Sequence, residues 1–206
     1  TIDLGRPLHV YDADKLNGNL SMRLAEDGEK CITLDEEEYI LSSDMVVIAD
    51  EKKLHGIGGV MGGLESGCSL NTTNVFLEVA LFDPISVTKT GRKLNIQSDA
   101  RFRFERGIDS TSIDWGVDKA TEMILNLCGG KVSKVTSDKS KEHRKKIIKY
   151  DLKKTKNLSG VEINSNNQIK ILKNLGFEIK SQSKDFIIIA VPYFRPDIDG
   201  KADIVE

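Results

Sequence analysis

Cysteine, proline and aromatic side chains are all scarce in this 206-residue chain, and each shortage narrows what it can be. The three cysteines, Cys31, Cys68 and Cys128, are an odd number at scattered spacing. They fit neither a zinc site nor a disulfide framework, and they favour a reducing, cytoplasmic setting. No apolar run approaches the roughly 18 residues of a membrane span, and no signal peptide opens the chain. Thr1-Ile2-Asp3-Leu4-Gly5 is not a natural start, so an internal fragment is expected. The nucleotide loop G-x-x-x-x-G-K-S/T is missing, as are a G-x-S-x-G nucleophile elbow and any His/Cys/Asp cluster at metal-ligand spacing. Nucleophilic catalysis by a protein side chain is therefore unsupported, and a hydrolase built on this sequence would use bound water.

What is present is an ordinary globular mix, 39% hydrophobic and 30% charged. Its charge is uneven. Residues 1–140 carry 16 Lys+Arg against 23 Asp+Glu, and residues 141–206 carry 14 against 9. That asymmetry predicts two modules. The basic C-terminal piece suits either nucleic-acid contact or a solvated lysine-rich surface.

Short apolar runs at Met22–Leu24, Cys31–Leu34, Tyr39–Leu41 and Met45–Ala49, parted by polar turns, predict strands. Val75–Phe82 predicts a longer, central strand. Asp83-Pro84 predicts a helix start. Ile113, Val117, Ala120, Ile124 and Leu127 fall on one face of a helix over 110–128, which Gly129-Gly130 would stop. Residues 136–146 read as a linker. Beyond it the pattern is strand (147–150), helix (151–158), helix (166–175), strand (177–181) and strand (185–191). Ser165 and Gln168 look like a capping box for the second of these helices. Strands followed by helices make the first module α+β. Two short helices and a hairpin make the second a small winged-helix-like unit.

The segment richest in chemistry runs from Asn74 to Gly107. Glu78 sits within an apolar run, where an ionised carboxylate is costly unless it meets water, a partner or a ligand. Arg92, Lys93, Arg101, Arg103 and Arg106 follow it, and the combination suggests a site for a small polar group on a polyanionic carrier. The glycines at 56, 58, 59, 62 and 63 miss the G-x-G-x-x-G spacing and read as a turn where backbone closely approaches backbone or a ligand. His9 alone reads as structural or functional. Asp197, Asp203 and Glu206 read as a solvated acidic tail or as oxygen ligands of a hard cation.

Together these stretches resemble the beta subunit of bacterial phenylalanine–tRNA ligase. Gly5-Arg6-Pro7-Leu8-His9-Val10-Tyr11-Asp12-Ala13-Asp14-Lys15 is similar to that family's G-x-P-L-H-A-F-D-x-D-K segment. Gly59-Val60-Met61-Gly62-Gly63 resembles its glycine turn. Asn74–Pro84 and Ser98–Gly107 resemble N-V-L-L-E-x-A-x-F-x-P and T-x-A-S-x-R-F-E-R-G. The resemblance continues through Leu175-Gly176-Phe177 and Val191–Asp203.

It implies a B3/B4-type editing domain of mixed β-sheets and packed helices over 1–135, then a winged-helix-like B5 domain over 147–206, truncated at its C-terminus. The implied function is water-mediated hydrolysis of tyrosine misattached to tRNA(Phe), within an enzyme that attaches phenylalanine to that tRNA. Glu78 would accept a hydrogen bond from the tyrosine hydroxyl. Gly59, Gly62 and Ala100 would leave room for the ring, while His9 and Ser98 would line the cavity. Arg101 stands where the family is usually small, which implies a more basic cavity rim. Asp197, Asp203 and Glu206 would hold Mg²⁺ in a site shared with the alpha subunit of an alpha2beta2 tetramer. ATP would be used only by the whole enzyme. The alternative is a non-catalytic RNA-binding and structural module, active only in the full tetramer.

Overall fold

The computed structural model describes residues 5–137 and 144–206. It divides into two compact units, one of Thr1–Ile108 with Ser112–Ser133 and one of Lys134–Glu206 with Asp109–Thr111. Most of the predicted linker, residues 138–143, lies outside the described residues.

The first unit contains β1 (His9–Asp12), β2 (Ser21–Leu24), β3 (Lys30–Ile32), β4 (Glu38–Ile40), β5 (Val46–Ala49), β6 (Leu54–Ile57), β7 (Met61–Gly62) and β8 (Val75–Glu78). Helices α1 (Pro84–Lys93), α2 (Asp99–Phe104) and α3 (Ser112–Cys128) follow. The strands form a four-stranded sheet β2-β5-β6-β7 and two ribbons, β1-β8 and β3-β4. Every described pair is antiparallel, so the sheets vary in size rather than in strand direction. Leu41, Met45, Val47, Ile57, Val87 and Phe104 belong to the core between sheet and helices.

Three local outcomes depart from the sequence pattern. The strand expected over Val75–Phe82 stops at Glu78, because the last rung of its ribbon pairs Glu78 with His9. Two residues earlier on the partner strand stands Pro7, which has no N–H to extend the ladder. Nor is the strand central: it lies in a two-stranded ribbon, and Val75 and Phe76 are exposed. In α3 the buried row is Ser112, Gly116 and Ala120, while Leu127 is 82% exposed. Gly116 faces Arg6 and Val79, where a Cβ would lie in ordinary contact at 3.4 Å from Arg6 Cδ and Val79 Cγ1. The start of α1 follows the prediction, with Asp83 accepting from Ser86 N at 2.8 Å.

The second unit contains β9 (Ile147–Asp151), α4 (Lys153–Ser159), α5 (Ser165–Asn174), β10 (Glu178–Gln182), β11 (Phe186–Ala190) and α6 (Lys201–Val205). Its sheet order is β10-β11-β9. Alternation along β9 turns Ile148 and Tyr150 inward, opposite Ile189 and Ile187 of β11. The capping assignment at α5 shifts by one residue. Asn164 is the cap, accepting from Asn167 N at 2.9 Å. Gln168 instead turns inward and joins the two helices. Its amide donates to Leu152 O at 3.1 Å and Ile163 O at 2.7 Å, and its Oε1 accepts from Thr155 at 2.8 Å.

Gln168→Ala strips partners from two backbone carbonyls and from the Thr155 hydroxyl. It is expected to destabilise the second unit by about 2–3 kcal/mol. Hydrogen exchange of the β9 and β11 amides under increasing urea measures the loss.

Candidate functional site: a half-buried carboxylate in a glycine-walled cavity

Residues directly opposite on an antiparallel ribbon share a face. The rungs His9↔Glu78 and Tyr11↔Phe76 therefore set four side chains on one face of the β1-β8 ribbon. Three of them, His9, Tyr11 and Glu78, line a small, open cavity of about 70 Å³. Its other walls include Gly59, Met61, Gly62, Phe82, Ala100 and Phe104.

The β6-β7 hairpin forms one wall, where Gly56, Gly58, Gly59 and Gly62 alternate with Ile57, Val60 and Met61. Gly56 pairs with Gly62 across the hairpin. A Cβ on Gly62 would overlap the His9 ring, so His9 can lie flat against the strand only because residue 62 is glycine. At the turn, Gly59 has a φ of +70°, and a Cβ there would lie 2.8 Å from Val87 Cγ2. The cluster thus serves both uses that its sequence left open, packing against backbone and walling a cavity. Beneath the hairpin, Asp50 accepts from the backbone N–H of Asn17, Lys52 and Lys53 at 2.7–2.9 Å. It also contacts His55 Nε2 at 2.7 Å, and both side chains are fully buried.

The cavity's polar groups are few. Glu78 is half-buried, and its Oε2 accepts a short hydrogen bond from the Tyr11 hydroxyl. Burial pushes the Glu78 carboxyl above its ordinary value, against the opposing effect of the Tyr11 bond. Burial, and then the charge of Glu78 and the bond to it, push the Tyr11 phenol far upward, so it remains a donor. Burial also lowers the His9 pKa. The imidazole is therefore neutral near pH 7, and its buried Nε2 has no hydrogen-bond partner among the described residues. Among the described residues, no serine, threonine, cysteine or lysine lines the cavity. Its described side chains can recognise a hydroxyl and orient a water, but they supply no aliphatic hydroxyl or thiol nucleophile.

The structure thus brings His9, Gly59, Gly62, Glu78 and Ala100 together. Ser98 stands one step back, at the N-terminus of α2. Its hydroxyl accepts from Arg101 N at 3.0 Å and donates to Val60 O at 2.5 Å. Sequence reading missed Tyr11, although period-2 spacing from His9 places it on the same face. It also missed Phe82 and Phe104, whose rings meet edge to face at 5.0 Å behind the glycine turn.

The arginines are mostly engaged within the fold. Arg101 is buried over Gly91, donates to Ile96 O at 2.5 Å and pairs with Glu105 at 3.0 Å. It is a bolt between α1 and α2, and the expected basic rim is not formed by it. Arg106 pairs with Glu105 at 2.9 Å and stacks on Phe102, and Arg103 reaches Asp99 at 3.6 Å.

In the second unit, Asp197, Asp203 and Glu206 border one surface cavity. No group of three His, Cys, Asp or Glu residues among the described ones could hold a metal ion. The carboxylates have other work. Arg195 pairs with Asp197 at 2.6 Å and holds its carboxyl below the usual range. Asp203 Oδ2 accepts from Gly200 N at 2.7 Å and Asp199 N at 2.8 Å, which lowers its pKa and caps α6. In this arrangement the three do not fit a Mg²⁺ site.

Known proteins bear on both units. Residues 1–129 match the B3/4 domain family, and residues 148–206 match the tRNA synthetase B5 domain family. The whole chain is 47% identical to the phenylalanine–tRNA ligase beta subunit of Mesorhizobium japonicum and 45% identical to that of Brucella suis. It spans 26% of the length of each. A solved N-terminal fragment of the phenylalanyl-tRNA synthetase beta subunit from Pyrococcus horikoshii is 19% identical. It aligns with a TM-score of 0.46 over 96% of this chain and 57% of that one.

Because the folded Glu78 carboxyl has a raised pKa, the native state holds its proton to higher pH than the unfolded chain does. Stability from this group is full below the ordinary value of 4.5 and is lost as pH rises through the raised value. Glu78→Gln removes that loss. Its thermal midpoint is expected to exceed the parent's at neutral pH and to converge with it on acidification below about pH 4, as parallel melting curves across pH would show.

Proposed function

The chain belongs to the phenylalanine–tRNA ligase beta-subunit family, carrying its B3/4 and B5 domains, and from that premise we propose that the Glu78 cavity is an editing site. It hydrolyses tyrosine misattached to tRNA(Phe) and spares the phenylalanyl ester. One observation carries the proposal: a half-buried carboxylate facing a cavity whose described walls are otherwise glycine, aliphatic and aromatic residues with His9.

Phenylalanine and tyrosine differ by one hydroxyl. An apolar synthetic pocket that holds phenylalanine rejects an added hydroxyl only weakly. A second pocket can select that hydroxyl by bonding to it. Glu78 is suited to the task, since a carboxylate accepting from a phenol makes a charge-assisted bond. A phenylalanine ring in the same place would leave the carboxylate desolvated and short of a donor. Ala100 and the glycine wall admit the ring. Ester cleavage falls to water, with the free Nε2 of His9 as the group that orients it.

In this reading the full protein pairs with an alpha subunit that carries the aminoacylation site, binds tRNA(Phe), and uses ATP and Mg²⁺ there, in the cytoplasm. No described helix is long and apolar enough to cross a membrane. Ser98 contributes from behind, by fixing the α2 end of the cavity.

The test is deacylation without ATP. Tyr-tRNA(Phe) should be hydrolysed in preference to Phe-tRNA(Phe), and Glu78→Ala should lose about tenfold or more of that preference. Equal hydrolysis of both esters by the parent protein, or an unchanged preference in Glu78→Ala, would overturn the assignment.

A further inference from the structure

Among the described residues, Tyr11 is the one that hydrogen-bonds to the Glu78 carboxylate, and the packing around it leaves it little freedom. It is 1% exposed. Its ring meets His9 edge-on at 4.4 Å, His55 at 6.0 Å and Phe76 at 6.3 Å. His55 is itself held by the buried Asp50. Tyr11 lies diagonally across the ribbon from Glu78, within the reach of a long aromatic side chain. Its hydroxyl has Glu78 Oε2 as its only acceptor among the described residues. Glu78 Oε1 accepts from no donor among them.

We infer that Tyr11 is a positioning residue: its hydroxyl fixes Glu78 Oε2 so that Oε1 is the atom offered to a ligand's phenolic hydroxyl. The inference rests on the proposed selection of a tyrosyl ester and adds the group that makes it selective. A glutamate alone in an apolar wall would turn among rotamers and would tend to take up a proton. A protonated carboxyl both donates and accepts, so it distinguishes a hydroxyl less sharply than a carboxylate does. Tyr11 donates to Glu78, and that donation favours the charged carboxylate. The other titratable group facing Glu78 is His9, its cross-strand partner, which burial keeps neutral. Among the described residues, no lysine or arginine lines the cavity to take over this task.

Tyr11→Phe keeps the ring, and with it the packing on His9, His55 and Phe76, and removes only the donor. In the full-length protein in its native assembly, kcat/KM for hydrolysis of Tyr-tRNA(Phe) is expected to fall about tenfold. The acid limb of its pH profile should move to higher pH, which loss of packing alone would not do. An unchanged rate, or a lower rate with the acid limb in place, overturns the inference. A second measurement needs no variant: a crystal structure of the parent protein with L-tyrosine bound. Tyr11 should remain on Oε2 with the ligand hydroxyl on Oε1, whereas a ligand that displaces Tyr11 from Oε2 overturns the inference. Glu78→Gln separates the two levels. Equal hydrolysis of both esters by the parent protein removes the editing reading itself, and undiminished tyrosyl preference in Glu78→Gln removes Glu78 as the selecting group. Preference lost there but intact, pH profile included, in Tyr11→Phe removes only the role of Tyr11.

Discussion

The first unit is organised around one hydrogen bond, from the Tyr11 hydroxyl to Glu78. Withdrawing a carboxylate from water is costly without a donor, and that cost constrains its neighbourhood. The β1-β8 ribbon must hold a register that sets residue 11 diagonal to residue 78. Tyr11 must be packed on its other sides, which His9, His55 and Phe76 accomplish. His55 in turn depends on Asp50, whose backbone donors shape the turn into the glycine hairpin. The cavity is the consequence of satisfying one buried acid with as little polar material as possible.

The two units handle their buried polar groups differently. In the second, Gln168 is satisfied by Thr155 and by two backbone carbonyls, and Thr155 also meets the Tyr150 hydroxyl at 2.6 Å. That network is closed and ties α4 to α5. In the first unit, Glu78 Oε1 and His9 Nε2, on two residues that line the cavity, have no hydrogen-bond partner among the described residues. Open polar groups in an otherwise apolar wall mark a binding surface, while closed ones mark a structural joint.

Much of this was readable from residue order, and the misreadings have physical causes. Asp83-Pro84 specified its helix start because cap and first turn are local. Glu78 stood out because an acid in an apolar run is conspicuous in one dimension. The end of its strand was hidden, since it depends on Pro7, some seventy residues away in the chain. The face of α3 was read about one residue off and one turn too long, because periodicity counts bulky side chains: Ile113, Val117 and Ile124 are partly buried, while Ser112, Gly116 and Ala120 are the buried row. Gln168 looked like a cap because Ser165 preceded it at the right spacing, and only the tertiary fold offers it Leu152 O and Ile163 O. The arginines looked like a patch because sequence cannot reveal that Arg101 is buried over Gly91.

Ser98 gives the cavity a mechanical property. A single oxygen accepts from the first turn of α2 and donates to Val60, at the tip of the glycine hairpin. Arg101, one turn along, is bolted to α1 through Ile96 and the flat face of Gly91. A push on the outer surface of α2 therefore has no compliant layer in which to dissipate. It is carried through that oxygen to the hairpin, so one side-chain atom couples the α2 wall of the cavity to its glycine wall.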